Sequence, residues 1–172
     1  MLENIFTRLR RQNSQSLMQA QMHFDKGVRL AVEGQLSKAT KAYLAAIEID
    51  PKFVTAYKYL GAAYDELGQF VDALKVYAKA IVRAPQDAEL RIDLGLVYFN
   101  IGSYNEAIKA FKQALDIDSH NARAHYCLGL VYLDLGDIQM AFEEYEQLTG
   151  QNEKDLSFQL LDKIQLQSRQ AS

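Results

Sequence analysis

The sequence contains no tryptophan, only two prolines and a single cysteine, Cys127, among 172 residues. One cysteine excludes an internal disulfide and suits a reducing compartment. No apolar run approaches the ~18 residues of a membrane-spanning helix, and residues 1–19 lack the apolar core of about 7–15 residues that marks a secretory signal. We therefore expect a soluble, cytoplasmic protein.

The chain also has little net charge. Nineteen basic and 22 acidic residues leave a formal charge of −3. There is no basic stripe of the kind that nucleic-acid backbones require. Nucleic acid is therefore not an expected partner.

The sequence also has few of the residue patterns that are typical of catalytic or metal-binding sites. His125 and Cys127 are two residues apart on a predicted helix, so their side chains point about 200° apart and cannot form a nucleophile–base pair. His120 has no second histidine or cysteine at metal-ligand spacing, and a turn role is expected for it. His23 and His125 fall in a packing column of the repeat described next. We predict no catalytic residue, no cofactor and no metal, and thus not an enzyme.

Glycine is abundant at one period. Eight of the nine glycines recur at a spacing of 34 residues, in two ladders. The first ladder is Gly27, Gly61, Gly95 and Gly129, and the second is Gly34, Gly68, Gly102 and Gly136. Such a period indicates one supersecondary unit stacked on copies of itself.

Other columns repeat in step and divide residues 20–155 into four units, 20–53, 54–87, 88–121 and 122–155. Each second-ladder glycine is followed by a small residue and then by a large ring, namely Ala39 and Tyr43, Ala73 and Tyr77, Ala107 and Phe111, Ala141 and Tyr145. Apolar residues within each half unit fall at i, i+3, i+4 and i+7, which predicts two helices per unit. The second-ladder glycine ends the first helix. The first-ladder glycine lies inside a helix at a cost of about 1 kcal/mol, which indicates close helix–helix approach.

These residues resemble the tetratricopeptide repeat, a 34-residue helix–turn–helix unit with alternating small and large positions. The resemblance implies an all-α fold, a right-handed α-solenoid of four such repeats with an N-terminal helix. Residues 156–172 are expected to form a C-terminal capping helix, over 156–167, and a tail. The chain departs from the pattern at Leu148, which replaces the small closing alanine. We expect Leu148 to pack on the capping helix, whose apolar face would carry Leu156, Leu160 and Ile164.

The resemblance further implies a concave groove, lined by the first helices, in which partner peptides lie. The residues carried over as a partner-binding groove are Phe24, Val28, Lys58, Ala62, Glu89, Ile92, Leu96, Phe99, Arg123, Tyr126 and Leu130. Family members that clamp the carboxylate end of chaperone tails use asparagine in the column that here reads Val28, Ala62, Leu96 and Leu130. A chaperone-tail clamp is therefore not expected. For Leu130 and Leu133 the alternative is ordinary packing between helices.

The N-terminal segment, residues 1–19, has a pattern of its own. Leu2, Ile5, Phe6 and Leu9 share a helical face beside three arginines, and Asn13 to Ser16 form an expected joint with Ser16 as cap of the next helix. Three interpretations remain open. The segment caps the first repeat, or it enters the groove of a second copy or its own and so gives a homodimer or self-inhibition. In the third interpretation, residues 1–13 form a peripheral membrane or organelle-targeting helix that binds bilayers weakly.

From these observations we predict a noncatalytic adaptor or assembly scaffold that binds an apolar or amphipathic segment of a partner protein in the groove. The alternatives are a dedicated chaperone for an aggregation-prone client and a membrane-peripheral assembly factor that uses the N-terminal helix.

Overall fold

Nine α-helices form the part of the chain that this computed structural model describes, residues 2–151 and 153–170, with side chains described over 12–151 and 153–169. They are α1 (Leu2–Val32), α2 (Leu36–Ile49), α3 (Val54–Glu66), α4 (Phe70–Arg83), α5 (Ala88–Ile101), α6 (Tyr104–Leu115), α7 (Ala122–Asp134), α8 (Ile138–Gly150) and α9 (Lys154–Gln170). No strand occurs within these ranges. The all-α repeat fold expected from the sequence is confirmed.

The second-ladder glycines make the turn inside each hairpin. Gly34, Gly68, Gly102 and Gly136 have φ between 69° and 81°, the left-handed region that side chains disfavour. In the first hairpin the amide of Gln35, just after the glycine, donates to the carbonyl of Leu30 at 2.8 Å, and the other three turns repeat this bond. These bonds satisfy carbonyls that the ending helix would leave unpaired. The predicted role of this ladder is confirmed.

The helices group into two units. In the first unit α1 pairs with α2 and α3 with α4, and α2 packs on α3. In the second unit α5 pairs with α6 and α7 with α8, α6 packs on α7, and α9 packs on both α8 and α7. Each unit thus contains two stacked hairpins, as a 34-residue repeat requires.

The first-ladder glycines make room for a ring. A Cβ placed on Gly61 would lie 2.6 Å from Cζ of Tyr77, and one on Gly95 would lie 2.5 Å from Cε1 of Phe111. Gly27 stands in the same relation to Tyr43. The close approach predicted from the sequence is therefore between the first helix and an aromatic side chain of the second. The small alanine column beside it, from Ala39 to Ala141, is fully buried.

The fourth repeat departs from this arrangement. The atoms nearest to a Cβ on Gly129 belong to Leu160 of α9, at 2.5 Å, and not to Tyr145. Tyr145 is half-buried and contacts Phe142 in a tilted arrangement, with ring centroids 5.3 Å apart. The capping helix thus supplies the side chain that the repeat pattern assigns to α8.

The C-terminal helix otherwise packs as expected. Leu160 and Ile164 are buried in one cluster with Leu148, and Leu156 packs against it. The helix begins at Lys154 and ends at Gln170, so it is longer than the 156–167 stretch whose apolar face was read from the sequence. Leu148 is fully buried, which explains why the closing position is large in this repeat.

The expected joint between the N-terminal segment and the first repeat is wrong. Helix α1 runs without interruption through Asn13, Ser14 and Ser16. The hydroxyl of Ser16 donates to the carbonyl of Gln12, four residues earlier, at 3.1 Å. A serine that bonds back to the preceding turn remains inside a helix and caps nothing. The apolar face assigned to residues 2–9 lies outside the described side chains.

Replacing Gly95 with alanine tests the contact between ring and glycine. Alanine raises helix propensity by about 1 kcal/mol, yet we expect Gly95→Ala to lower the free energy of unfolding by about 1–3 kcal/mol, because the buried ring of Phe111 cannot move aside. Urea unfolding followed by circular dichroism measures the change.

Gly150→Ala is the matched control. Gly150 lies in the last turn of α8, and among the described residues no atom beyond its chain neighbours and its own helix backbone lies within 4 Å of a Cβ built on it. We expect the Gly150→Ala protein to be as stable as the wild type or slightly more stable. Equal stability of both variants would contradict the steric account.

Candidate functional site

In the first unit, the predicted groove residues of α1 and α3 surround an aromatic cluster. The ring of Phe24 lies 5.1 Å from that of Tyr59, edge to face, and 5.1 Å from that of Phe53. Tyr59 is 44% exposed, Ala62 is exposed, and Val28 and Lys58 are half-buried. Phe24 therefore holds an exposed aromatic side chain in a fixed orientation on this face.

Tyr43 lies beneath this cluster. Its ring packs over Gly27 and lies 5.8 Å from Phe24 and 5.9 Å from Tyr59. Its hydroxyl is buried and has no hydrogen-bond partner among the described residues. Burial, with a smaller contribution from Tyr59, raises the pKa of Tyr43. A buried hydroxyl without a partner costs free energy that a phenyl ring would not.

In the second unit, the groove residues are more tightly packed. Leu96, Phe99, Tyr126 and Leu130 are half-buried against the core cluster. Ile92 has an exposed fraction of 0%, so it belongs to the core and cannot touch a partner. Position in the repeat thus places Ile92 on the correct helix, but the packing around α5 removes it from the surface.

Helix α9 lies beside the predicted groove residue Leu130 of α7. Leu130 and Asp134 of α7, together with Lys163, Leu166 and Gln167 of α9, line a small cleft of about 180 Å³. The amide of Gln167 donates to the carbonyl of Leu133 at 2.6 Å, and Leu133 is buried. For Leu133 the packing interpretation is therefore correct. No pattern in the sequence predicts that the capping helix lines a cleft together with groove residues.

The charged groove residues of the second unit pair with each other. Arg123 bonds to Glu89 at 2.5 Å and to Asp93 at 2.8 Å, so a cation on α7 is held by two carboxylates on α5. Burial acts to lower the pKa of Arg123, but Asp93 and Glu89 outweigh it and the net shift is upward. Burial also raises the pKa of the neighbouring Cys127 to about 11. This thiol is protonated at neutral pH and is a poor nucleophile.

His125 is a buried structural histidine, as its column predicted. Its Nδ1 lies 2.6 Å from a carboxylate oxygen of Glu144 on α8, and its Nε2 lies 3.2 Å from the carbonyl of Ser119. Both ring nitrogens face acceptors, so only the imidazolium can donate to both. The bond to Glu144 raises the pKa of His125; burial opposes it, while Ser119 and Asp118 add to it.

The described ranges contain neither a metal-binding cluster nor a membrane-spanning helix. No group of three or more His, Cys, Asp or Glu side chains there could hold a metal ion. His120 lies in a turn, with its amide 3.2 Å from a carboxylate oxygen of Asp118. None of the described helices is both long enough and apolar enough to cross a membrane.

Stacked helical hairpins with apolar side chains left on their outer faces define a repeat scaffold for protein–protein interaction. Tetratricopeptide-repeat family models match residues 29–68, 54–97, 97–136 and 122–155, the last being the fourth unit read from the sequence. The chain belongs to the tetratricopeptide-repeat family. This fold is generally a noncatalytic interaction module.

Solved structures of similar fold agree with this assignment. A MamA protein is 25% identical, with a TM-score of 0.67 over 88% of this chain and 92% of its own. A MamA fragment from Desulfovibrio magneticus is 22% identical, with a TM-score of 0.71 over 88% and 93%. A tetratricopeptide-repeat protein from Parabacteroides merdae is 18% identical, with a TM-score of 0.75 over 89% and 61%. No curated protein sequence matches the chain.

Stability should depend on the protonation of His125. Its folded pKa lies above the unfolded value of 6.5, so its contribution is fully present below pH 6.5 and is lost as pH rises through the folded pKa. We therefore expect Glu144→Gln to destabilise the protein more at pH 6 than at pH 9. Urea midpoints at both values measure this, and an equal loss at both would contradict the charged pair.

Removing the hydroxyl of Tyr43 should not weaken the fold. We expect Tyr43→Phe to leave the free energy of unfolding unchanged or to raise it by up to about 1 kcal/mol. Tyr43→Ala, which also removes the ring from Gly27, should lower it by about 3–5 kcal/mol. Thermal unfolding of both variants measures the contrast. A marked loss in Tyr43→Phe would mean that the hydroxyl has a partner.

Proposed function

We propose that this chain is a noncatalytic adaptor or assembly scaffold that binds an apolar or amphipathic segment of a partner protein on the faces of its first helices. The observation that carries the proposal is Tyr59, which is 44% exposed and held edge-on by Phe24. A tyrosine fixed in this way offers apolar contact and a hydroxyl while losing little conformational entropy on binding.

The face of the first helices in the second unit supports the same function, but its apolar side chains are less exposed and its charged residues are paired. Leu96, Phe99, Tyr126 and Leu130 offer only their outer edges, since each is also packed against the core. Arg123 is already bonded to Glu89 and Asp93. The positive charge of Arg123 is thus already offset by two carboxylates, so it would attract the carboxylate end of a peptide only weakly, which argues for an apolar partner segment.

The test compares variants of the two faces with a matched control. Tyr59→Ser removes the exposed ring of the first unit, and Leu96→Arg places a charge among the apolar edges of the second. Val71→Arg adds the same charge at a position on α4 that is 66% exposed and outside both faces. Partners are captured from a lysate of the source cells with wild type, identified by mass spectrometry, purified and titrated against each variant.

We expect the affinity of a genuine partner to fall at least about tenfold, or 1.4 kcal/mol, in Tyr59→Ser or Leu96→Arg and to remain unchanged in Val71→Arg. Circular dichroism and urea unfolding establish that each variant is folded, which matters for the half-buried Leu96. Equal affinity in all three variants would move the function away from these faces.

A dedicated chaperone differs from an adaptor in its effect on the client. Co-expression with the captured partner separates the two, because a chaperone raises the soluble yield of its client whereas an adaptor leaves it unchanged. Tyr59→Ser and Leu96→Arg should abolish any such increase, and Val71→Arg should retain it.

A further inference from the structure

The first hairpin, formed by α1 and α2, has a face that corresponds to the one on which successive repeats pack. No described helix covers this face. In the second repeat, α2 packs on α3, in which Tyr57 and Leu60 are buried. The positions 34 residues earlier, on α1, hold His23 and Lys26. Within the described chain α1 contacts only α2 and α3. A surface whose counterpart in the next repeat receives a helix is therefore open on α1.

This face forms a cleft of about 350 Å³ between α1 and α2. Its apolar lining is Leu30, Ala42 and Ala45, and its polar lining is His23, Lys26, Lys38 and Lys41. None of these residues belongs to the groove discussed above. The cleft is large enough for one or two apolar side chains of a packed helix.

The charge at this cleft has one sign. Lys26 and Lys41 are exposed and form no ion pair among the described residues, and Lys38 donates to the amide oxygen of Gln35 at 2.7 Å. The nearby carboxylates Asp25 and Glu33 do not line the cleft and accept hydrogen bonds from glutamines. Three ammonium groups around an apolar floor repel each other, so carboxylates brought by a ligand would stabilise them.

The local charge also contrasts with that of the whole chain. Residues 12–41 contain four lysines and arginines and two acidic residues, whereas residues 42–172 contain twelve and nineteen. A cluster of positive charge on an acidic protein attracts an acidic partner to that place, since the rest of the surface repels the partner.

We propose that this cleft is a second docking site, which takes an acidic amphipathic helix of a partner protein. The apolar stripe of that helix packs on Leu30, Ala42 and Ala45 in the way that α2 packs on the next repeat, and its flanking carboxylates pair with Lys26, Lys38 and Lys41. The site is independent of the proposed function of the groove. A free inorganic anion would use the lysines and leave the apolar floor exposed, which is why we assign a helix.

The probe is a fluorescein-labelled helical peptide with leucine at positions i, i+3, i+4 and i+7 and glutamate on both flanks of this stripe. One control peptide has glutamine for every glutamate, and a second has serine for every leucine. Fluorescence anisotropy at low and high salt measures binding to the full chain. We expect the probe to bind at least about tenfold more tightly than either control, with an affinity that falls as salt rises.

Three variants locate the site. The double variant Lys26→Gln, Lys41→Gln should weaken binding at least about tenfold, whereas Lys75→Gln, Lys79→Gln on α4 removes the same charge elsewhere and should leave it unchanged. Ala45→Arg adds positive charge but obstructs the floor, so a packed helix should bind less tightly. Circular dichroism establishes folding of each variant.

Several results would overturn the proposal. Equal affinity in the two double variants, tighter binding by Ala45→Arg, or equal binding of the serine control would reduce the interaction to unspecific charge attraction. Sedimentation of the chain alone tests a second copy as occupant: an oligomer that the Lys26, Lys41 variant abolishes would replace the proposed partner. Binding to phosphatidylserine vesicles without binding to the probe would replace it with a membrane surface.

Discussion

The fold depends most on one contact, a large side chain placed flat against a glycine in the middle of a helix. In the first three hairpins the ring comes from the second helix, as with Tyr77 on Gly61. The contact brings the two helices of a hairpin close and fixes their relative rotation, because the ring fits only where the Cβ is missing. The faces for stacking and the proposed partner-binding faces then follow from that rotation, since they occupy the remaining sides of the same helices.

Much of this arrangement could be predicted from the sequence, because its determinants are local and repeated. A glycine with positive φ at Gly34 or Gly102 acts through its own backbone, so its position in the chain is enough to place a turn. The mistaken joint at Ser16 shows the limit of such reasoning. Serine is compatible both with a helix start and with a helix interior, and only the back-bond to Gln12 decides between them.

The candidate site was harder to predict, because exposure is a property of the packed molecule. Ile92 and Leu96 occupy the same helix four residues apart, yet only Leu96 reaches the surface. Tyr59 was not among the predicted site residues, since the groove position is that of its neighbour Lys58. The ion pair between Glu89 and Arg123 does have a signal in the sequence: the two residues are separated by 34 positions, so they occupy equivalent positions on adjacent first helices, where opposite charges meet.

In the fourth repeat Leu160, and not Tyr145, packs on Gly129. This contact limits how such a chain can change in length. Repeat arrays grow by duplication of whole units, and a copy of residues 54–87 inserted after residue 87 would bring its own glycine with its own ring. A copy appended after residue 155 would instead separate Gly129 from the α9 side chain that closes it. The last repeat and α9 must therefore stay together as one unit. Additional repeats fit only before this unit.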